Sequence, residues 1–298
     1  MLADVIREGR EADFTAATAL VNRVWPFRVG SVEGWRHSVR AEPSEAQRRF
    51  WAAEDKGELV GWATAALDHE SAERPGFFNV SIVPEHRGRG LGGALFERCD
   101  EHLRAIGATR VDAGSEDSPA ARGFLEGRGF RHAHTSRISG VVPADVEAAS
   151  APADVELRPL SELDPTLVFA LDAEASLDIP NQNLDDLKLE QWLGEYWRNP
   201  DVDLESSMAA VADGKPVSFS HLFVGPGLRG MTAMTGTLRS YRGRGLAELV
   251  KRATLVRAAA RGIQLVVTYN DETNAAMLHV NEKLGYVPLA ALLGWKRG

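Results

Sequence analysis

The chain has 298 residues, 44% of them hydrophobic and 26% charged, a globular composition that at about 150 residues per domain makes room for roughly two domains. A formal charge of −8 argues against a general nucleic-acid binder, and a single cysteine excludes an intrachain disulfide and fits a reducing compartment. No stretch approaches the ~18 apolar residues of a membrane span, and MLADVIREGREADF lacks a signal peptide's apolar run and cleavage site, so a cytoplasmic protein with no membrane or nucleic-acid partner is expected.

In chain order, DVIRE (4–8) reads as a short strand. An amphipathic helix follows over 13–24, then a tryptophan-containing helical region over 33–41. RRFWAAE, DKGE and LVGWATAAL read as strand, turn and strand, and GFFNVSIV (76–83) as a third strand. EHRGRGLGGAL (85–95) follows directly and opens a helix that keeps Leu91, Leu95, Cys99, Leu103 and Ile106 near one face. Gly107 caps it, and Cys99, on the apolar side, reads as a core thiol. TRVDAG is another strand, and a short helix ends at GRGF (127–130). PADVEAASAPAD (143–154) has the proline, alanine and acid content of a linker.

The order then starts again. DVELRP reads as a strand, 164–176 and 186–198 as helices, and SSMAAVA, DGK and PVSFSHLFV as a hairpin. GMTAMTGTL (230–238) precedes SYRGRGLAELV (240–250), whose helix carries Leu246, Leu249, Val250, Ala253 and Val256 on one face and ends at Gly262. IQLVVTY and a short helix ending at KLGY (283–286) complete the series. The interval from Arg87 to Gly107 equals that from Arg242 to Gly262. The pattern predicts a tandem duplication of one α/β unit: residues 1–142, a linker over 143–154, and residues 155–298.

A helix start presents unpaired N–H groups and partial positive charge, glycines let an anion approach the backbone, and arginines add charge-assisted contacts. Two glycine-arginine turns between strand and helix therefore predict two diphosphate cradles. Gly88, Gly90 and Gly93 also satisfy the dinucleotide spacing G-x-G-x-x-G, with Asp112 where a ribose-binding acid belongs. The second copy has Glu248 in place of the third glycine, and both turns come late in their units, where a dinucleotide fold would put the turn first. Both copies keep Arg87-x-x-Gly90-x-Gly92 and Arg242-x-x-Gly245-x-Ala247.

That shared pattern resembles the R/Q-x-x-G-x-G/A signature of the GNAT (Gcn5-related N-acetyltransferase) superfamily, and the chain as a whole resembles its tandem members, of mycothiol synthase-like two-domain architecture. TYNDETNAAMLHVNEKLGY (268–286) adds to the likeness. The resemblance implies an α/β (α+β) fold in each unit, a mixed, mostly antiparallel sheet flanked by helices. It implies acetyl-CoA as cosubstrate. Residues Arg87, Gly88, Arg89, Gly90, Leu91, Gly92 and Gly93, and Arg242, Gly243, Arg244, Gly245, Leu246, Ala247 and Glu248, would hold the pyrophosphate. Strand ends Ser81, Ile82 and Val83, and Gly236, Thr237 and Leu238, would hold the pantetheine arm. Asn274 matches an Asn of the family's last helix, where the first unit has Ser118. A tyrosine that the family often uses to protonate the leaving thiolate is replaced by Leu125 and Asn281.

Acetyl transfer needs a base for the amine and an N–H donor for the oxyanion. Candidate bases are His221, on a strand, and Glu174 and Asp178 near AEASLDIP, where carboxylates could recruit a cationic amine. Trp25, Phe27 and Trp35 occupy the corresponding region of the first unit. His132 and His134 lack a partner acid, and no metal site is expected. The leading reading is N-acetylation of a small-molecule amine, with the chemistry in the second unit, by a monomer or homodimer. A non-catalytic acyl-CoA-binding or sensing protein stays open because of Leu125 and Asn281, and an NAD(P)-dependent oxidoreductase because of the first glycine spacing.

Overall fold

The computed structural model describes residues 6–181 and 184–298. The first half runs β1 (Ile6–Glu8), α1 (Phe14–Val24), α2 (Val32–Ala41), β2 (Arg49–Asp55), β3 (Glu58–Leu67), β4 (Gly76–Ile82), α3 (Leu91–Ala105), β5 (Val111–Glu116), α4 (Pro119–Glu126) and β6 (Arg131–Val141). The second half runs β7 (Glu156–Pro159), α5 (Pro165–Ser176), α6 (Leu189–Tyr196), β8 (Met208–Ala212), β9 (Lys215–Gly225), β10 (Arg229–Thr237), α7 (Leu246–Ala260), β11 (Leu265–Asp271), α8 (Ala275–Lys283) and β12 (Val287–Arg297). The same order occurs twice, as the sequence predicts. Of the expected first strand, Asp4 and Val5 lie outside the described residues.

Contacts group the residues differently from a cut at the linker. Unit 1 holds the chain up to Arg28, Glu42–Ala133 and Leu293–Gly298; unit 2 holds Val29–Ala41 and His134–Leu292. Each unit thus takes a segment from the other half. In unit 1, Trp295 of β12 is 1% exposed and donates its indole N–H to the Ser115 hydroxyl on β5 at 2.9 Å. In unit 2, α2 lies along α6: Gly34 faces Asp201, which accepts from the Ser31 N–H at 2.8 Å, and His37 meets the Gly194 carbonyl at 2.7 Å. Unit 2 also contains the His134–Val141 part of β6, which pairs antiparallel with β11.

Within unit 1, β1 to β4 are antiparallel neighbours and β5 runs parallel to β4; within unit 2, β7 to β10 are antiparallel and β11 runs parallel to β10. The two parallel pairs position the site. β4 and β5 are paired only from Gly76–Val111 to Phe78–Ala113, and β10 and β11 only from Arg229–Leu265 to Met231–Val267. Beyond those points the two strands of each pair no longer bond to each other, so each unit has strands that part toward its glycine turn. β10 also carries a bulge between Thr232 and Thr235 that β4 lacks.

The α3 stripe is buried as its spacing predicts: Leu91, Leu95, Cys99 and Leu103 are at most 5% exposed. Burial pushes the Cys99 thiol up to about 12, as expected of a core residue. α7 departs from the prediction. Its buried face includes Lys251, Thr254 and Leu255, while the expected Ala253 and Val256 are only half-buried. Two polar residues sit on the inner face, and that moved the apparent apolar stripe.

Candidate active site

Both glycine turns have the geometry of a helix start open to an anion. Gly90 and Gly245 cap α3 and α7 at φ 85° and 75°, and Gly88 and Gly243 lie at 73° and 76°. These left-handed values favour glycine. No heavy atom lies within 4 Å of where a Cβ would stand on Gly88, Gly243 or Gly245. Open N–H groups at the start of a long helix suit a diphosphate. The motif arginines fix the strand ends: Arg87 Nε donates to the Ile82 carbonyl at 3.1 Å and Arg242 Nε to the Thr237 carbonyl at 3.2 Å. Arg89 is exposed, and Arg244 pairs with Asp154 at 2.5 Å. Glu248 is taken up by Arg252 at 2.9 Å and Lys283 at 3.5 Å.

Ser118 and Asn274 are helix caps. The Ser118 hydroxyl accepts from the Ala121 N–H and Asn274 Oδ1 from the Met277 N–H, both at 3.2 Å. Asn274 also faces a cleft of about 200 Å³ that opens where β10 and β11 part. The bulge residues Ala233 and Met234 form one edge of it, Thr268 and Asn270 of β11 another, Asp172 of α5 a third and Lys251 of α7 its floor.

The four expected catalytic residues sit in different surroundings. His221 is fully buried, lies outside the cleft lining and is ringed by Trp192, Tyr196 and Phe219. Neither ring nitrogen has a hydrogen-bond partner, and burial drives the imidazole down to about 3, so it is a poor base at neutral pH. Asp178 is bonded by Arg239 at 2.8 and 3.1 Å and by Arg242 at 2.8 Å. Those hydrogen bonds lower its carboxyl to about 2. Glu174 accepts the Arg239 backbone N–H at 2.9 Å and ties α5 to the turn after β10. Asn281 is 3% exposed and holds a neighbour: its Oδ1 accepts from Lys251 Nζ at 2.6 Å, and its Nδ2 donates to Asn270 Oδ1 at 2.7 Å.

Two titratable groups escaped the sequence reading. Asp172 is 4% exposed, and its carboxylate accepts from Trp192 Nε1 at 2.7 Å and the Ser176 hydroxyl at 2.8 Å. Desolvation outweighs those bonds and raises it to about 6. Lys251 is 1% exposed, joins no ion pair among the described residues, and is brought down by burial to about 7. No local signal marked Lys251: the apolar stripe read from the sequence, Leu246, Leu249, Val250, Ala253 and Val256, does not include its side of the helix.

Unit 1 replaces this polar network with hydrocarbon. Phe96 stands as far from Gly90 as Lys251 does from Gly245, Phe130 follows Gly129 as Tyr286 follows Gly285, and Leu125 takes the place of Asn281. Phe78, Phe96 and Phe130 pack with ring centroids 5.1 to 6.1 Å apart. A hollow of about 620 Å³ in unit 1 opens on Trp51, Arg98 and His102, at the far end of α3 from the glycine turn. The dinucleotide reading falls with this topology: Asp112 is bonded by Arg110 at 3.1 Å and the glycine turn follows a fourth strand. Among the described residues no group of three or more His, Cys, Asp or Glu is placed to hold a metal ion. No helix among them is long and apolar enough to cross a membrane.

The sequence profile of the acetyltransferase (GNAT) family matches residues 15–130 and again 172–286. The mycothiol acetyltransferase of Thermobispora bispora is 30% identical over 254 residues, 80% of each chain. That of Nocardioides sp. is 28% identical over 224 residues, 70% of this chain and 75% of its own. Among solved structures, a tandem GNAT protein from the clavulanic acid biosynthesis pathway has the same fold at TM-score 0.75 and 19% identity, covering 98% of this chain and 97% of that one. A GCN5-related N-acetyltransferase from Sphaerobacter thermophilus matches at TM-score 0.74 and 19% identity, covering 98% and 95%. The chain therefore belongs to the GNAT acetyltransferase family, as a tandem member with the fold repeated, and is an acyltransferase.

Proposed function

We propose that the protein moves the acetyl group of acetyl-CoA to the amine of a small polar molecule, and that unit 2 carries the chemistry. The observation behind this reading is the contrast between the units. Where β10 and β11 part, unit 2 has a cleft with a buried carboxylate, Asp172, and a buried amine, Lys251, held by Asn281; unit 1 has Phe96 and Leu125 at the positions of Lys251 and Asn281. A cleft of about 200 Å³ suits a small acceptor.

The residues fit the donor. The open glycine turn of α7 would take the diphosphate, and the gap where β10 and β11 no longer pair with each other would admit an extended arm. Asp172 would receive the proton of the attacking amine, being ionised above about pH 6. The β10 bulge interrupts the ladder at the edge of the cleft and leaves backbone unpaired there, a place for an oxyanion donor. The relatives named mycothiol acetyltransferases make deacetylated mycothiol the first acceptor to try.

The test combines acetyl-CoA calorimetry with release of CoA thiol over a panel of small amines headed by that compound, with products identified by mass. Turnover by the wild type and Gly90→Glu, but none by Gly245→Glu, is the expected result. Loss in Gly90→Glu with turnover kept in Gly245→Glu would move the chemistry to unit 1.

A further inference from the structure

We propose that Lys251 is the proton donor to the departing CoA thiolate, and that Asn281 is the residue that positions it. This deepens the reading of unit 2 above and rests on it. Lys251 Nζ donates to Asn281 Oδ1 at 2.6 Å and to Thr268 Oγ1 at 3.4 Å. Both acceptors are oriented by bonds of their own. Asn281 Nδ2 donates to Asn270, and the Thr268 hydroxyl donates to the Thr232 carbonyl at 3.1 Å. An ammonium has three donors. Two are spent on the protein, and Lys251 forms part of the cleft lining. Nζ also lies 4.8 Å from the centroid of the Tyr286 ring, whose π face favours a cation.

The charges around Lys251 leave it to act alone. On α7, Glu248 and Arg252 are bonded to each other; on α8, Lys283 turns to Glu248 and His279 is exposed. On β11, Asp271 is bonded by Asn181 and Thr273. His221 on β9 is neutral, and burial pushes the Tyr286 phenol well above its usual value, so neither titrates near pH 7. Asp172 faces the same cleft from α5. A lysine brought to about 7 is still partly protonated at working pH and gives up its proton far more readily than an ordinary one.

The step balances. The amine nitrogen bonds to the acetyl carbon and its proton passes to Asp172. The C–S bond breaks, and an N–H bond of Lys251 breaks as the S–H bond of CoA forms. Lys251 then recovers a proton from solvent or from Asp172. No further reactant is needed.

The experiment follows thiol release from acetyl-CoA from pH 5.5 to 9, with the fastest amine of the panel and with water alone, in wild type, Lys251→Met, Asn281→Ala and Asn281→Asp. The wild type is expected to lose kcat as pH rises through about 7. Asn281→Ala removes an acceptor of the ammonium and should move that limb down by about one pH unit, and Asn281→Asp should move it up. Lys251→Met should lower kcat by about 100-fold and abolish the limb, with acetyl-CoA affinity within about threefold of wild type. Unliganded protein gives a second readout. Lys251 is easier to deprotonate folded than unfolded, so the unfolded chain binds more protons between about pH 7 and 10.5, and stability rises across that window. Lys251→Met should lack that rise in melting temperature. A limb that stays put in both Asn281 variants, with kcat of Lys251→Met within threefold of wild type, overturns the proposal while leaving the site intact. A wild type that binds acetyl-CoA but releases no thiol, or does not bind it, overturns the reading of the site and this inference with it.

Discussion

Asp172, Glu174 and Asp178 lie within two turns of chain at the end of α5, and their surroundings give them three different chemistries. Asp178 is clasped by two arginines in solvent, Glu174 caps a backbone N–H, and Asp172 is sealed under Trp192. Of the three only Asp172 lines the cleft, and burial raises its carboxyl to about 6. Asp172→Asn keeps the shape and removes the base, so kcat should fall by about 100-fold or more, with acetyl-CoA affinity held, in steady-state kinetics and calorimetry. In the wild type, activity should fall as pH drops through about 6, because the protonated acid accepts nothing. The sign for stability is opposite. A raised carboxyl binds its proton more tightly folded, so its contribution is full below about pH 3.8 and is lost as pH rises to about 6. Asp172→Asn should therefore gain stability relative to wild type above pH 6. Asp178→Asn should stay within about threefold of wild-type kcat, since exposed ion pairs contribute little; a 100-fold loss would return Asp178 to the catalytic list. The sequence pointed to AEASLDIP and to Glu174 and Asp178, and it did not single out Asp172, the buried acid of the same stretch. Burial depends on which side of α5 meets α6, and no local pattern reports that. Lys251 was hidden for a related reason: a helical lysine reads as solvated until the inner face of its helix is known.

The strands and helices around the cleft were more legible than its side chains. Apolar spacing, glycine caps and the repeated turn each reflect local rules, and they located α3, α7 and the hairpins to within a few residues. The bulge in β10 was legible too, though only by comparing the halves: the stretch from Gly230 to Gly245 is one residue longer than that from Gly76 to Gly90. An extra residue in one strand of an antiparallel pair must be expelled as a bulge. Deleting Met234 would give β10 the regular ladder of β4. Because β4 forms without a bulge, the deletion should leave unit 2 folded, with a melting temperature close to wild type. If the bulge supplies the oxyanion donor, kcat should drop by about 100- to 1,000-fold, with calorimetric affinity for acetyl-CoA changed far less. Wild-type kcat in the deletion variant would place that donor elsewhere.

Across the whole chain, duplication preserved the glycine turn and let the side chains behind it diverge. Both glycine turns keep left-handed caps and open backbone, while the side chains behind them diverged to phenylalanine in one unit and to lysine, asparagine and threonine in the other. A turn built from backbone depends on few side chains, so it survives divergence that a side-chain network does not. The membership of each unit was not legible, because strand pairing across so long a separation leaves no periodic signal. It carries a consequence for stability. Unit 1 is completed by Leu293–Gly298 and unit 2 by Val29–Ala41. A cut in the linker over 143–154 would strip unit 1 of Trp295 and unit 2 of the α2 helix whose Ser31 and His37 bond to Asp201 and Gly194. Residues 1–142 made alone should therefore lack a cooperative melting transition, and the two fragments made together should recover one. The single change Trp295→Ala probes the same point in the full chain. It removes a side chain that is 1% exposed and takes one donor from the Ser115 hydroxyl, so it should cost ~3–5 kcal/mol, read by denaturant unfolding. A cooperative, native-like melt of the isolated 1–142 fragment would show that the borrowed strand is dispensable.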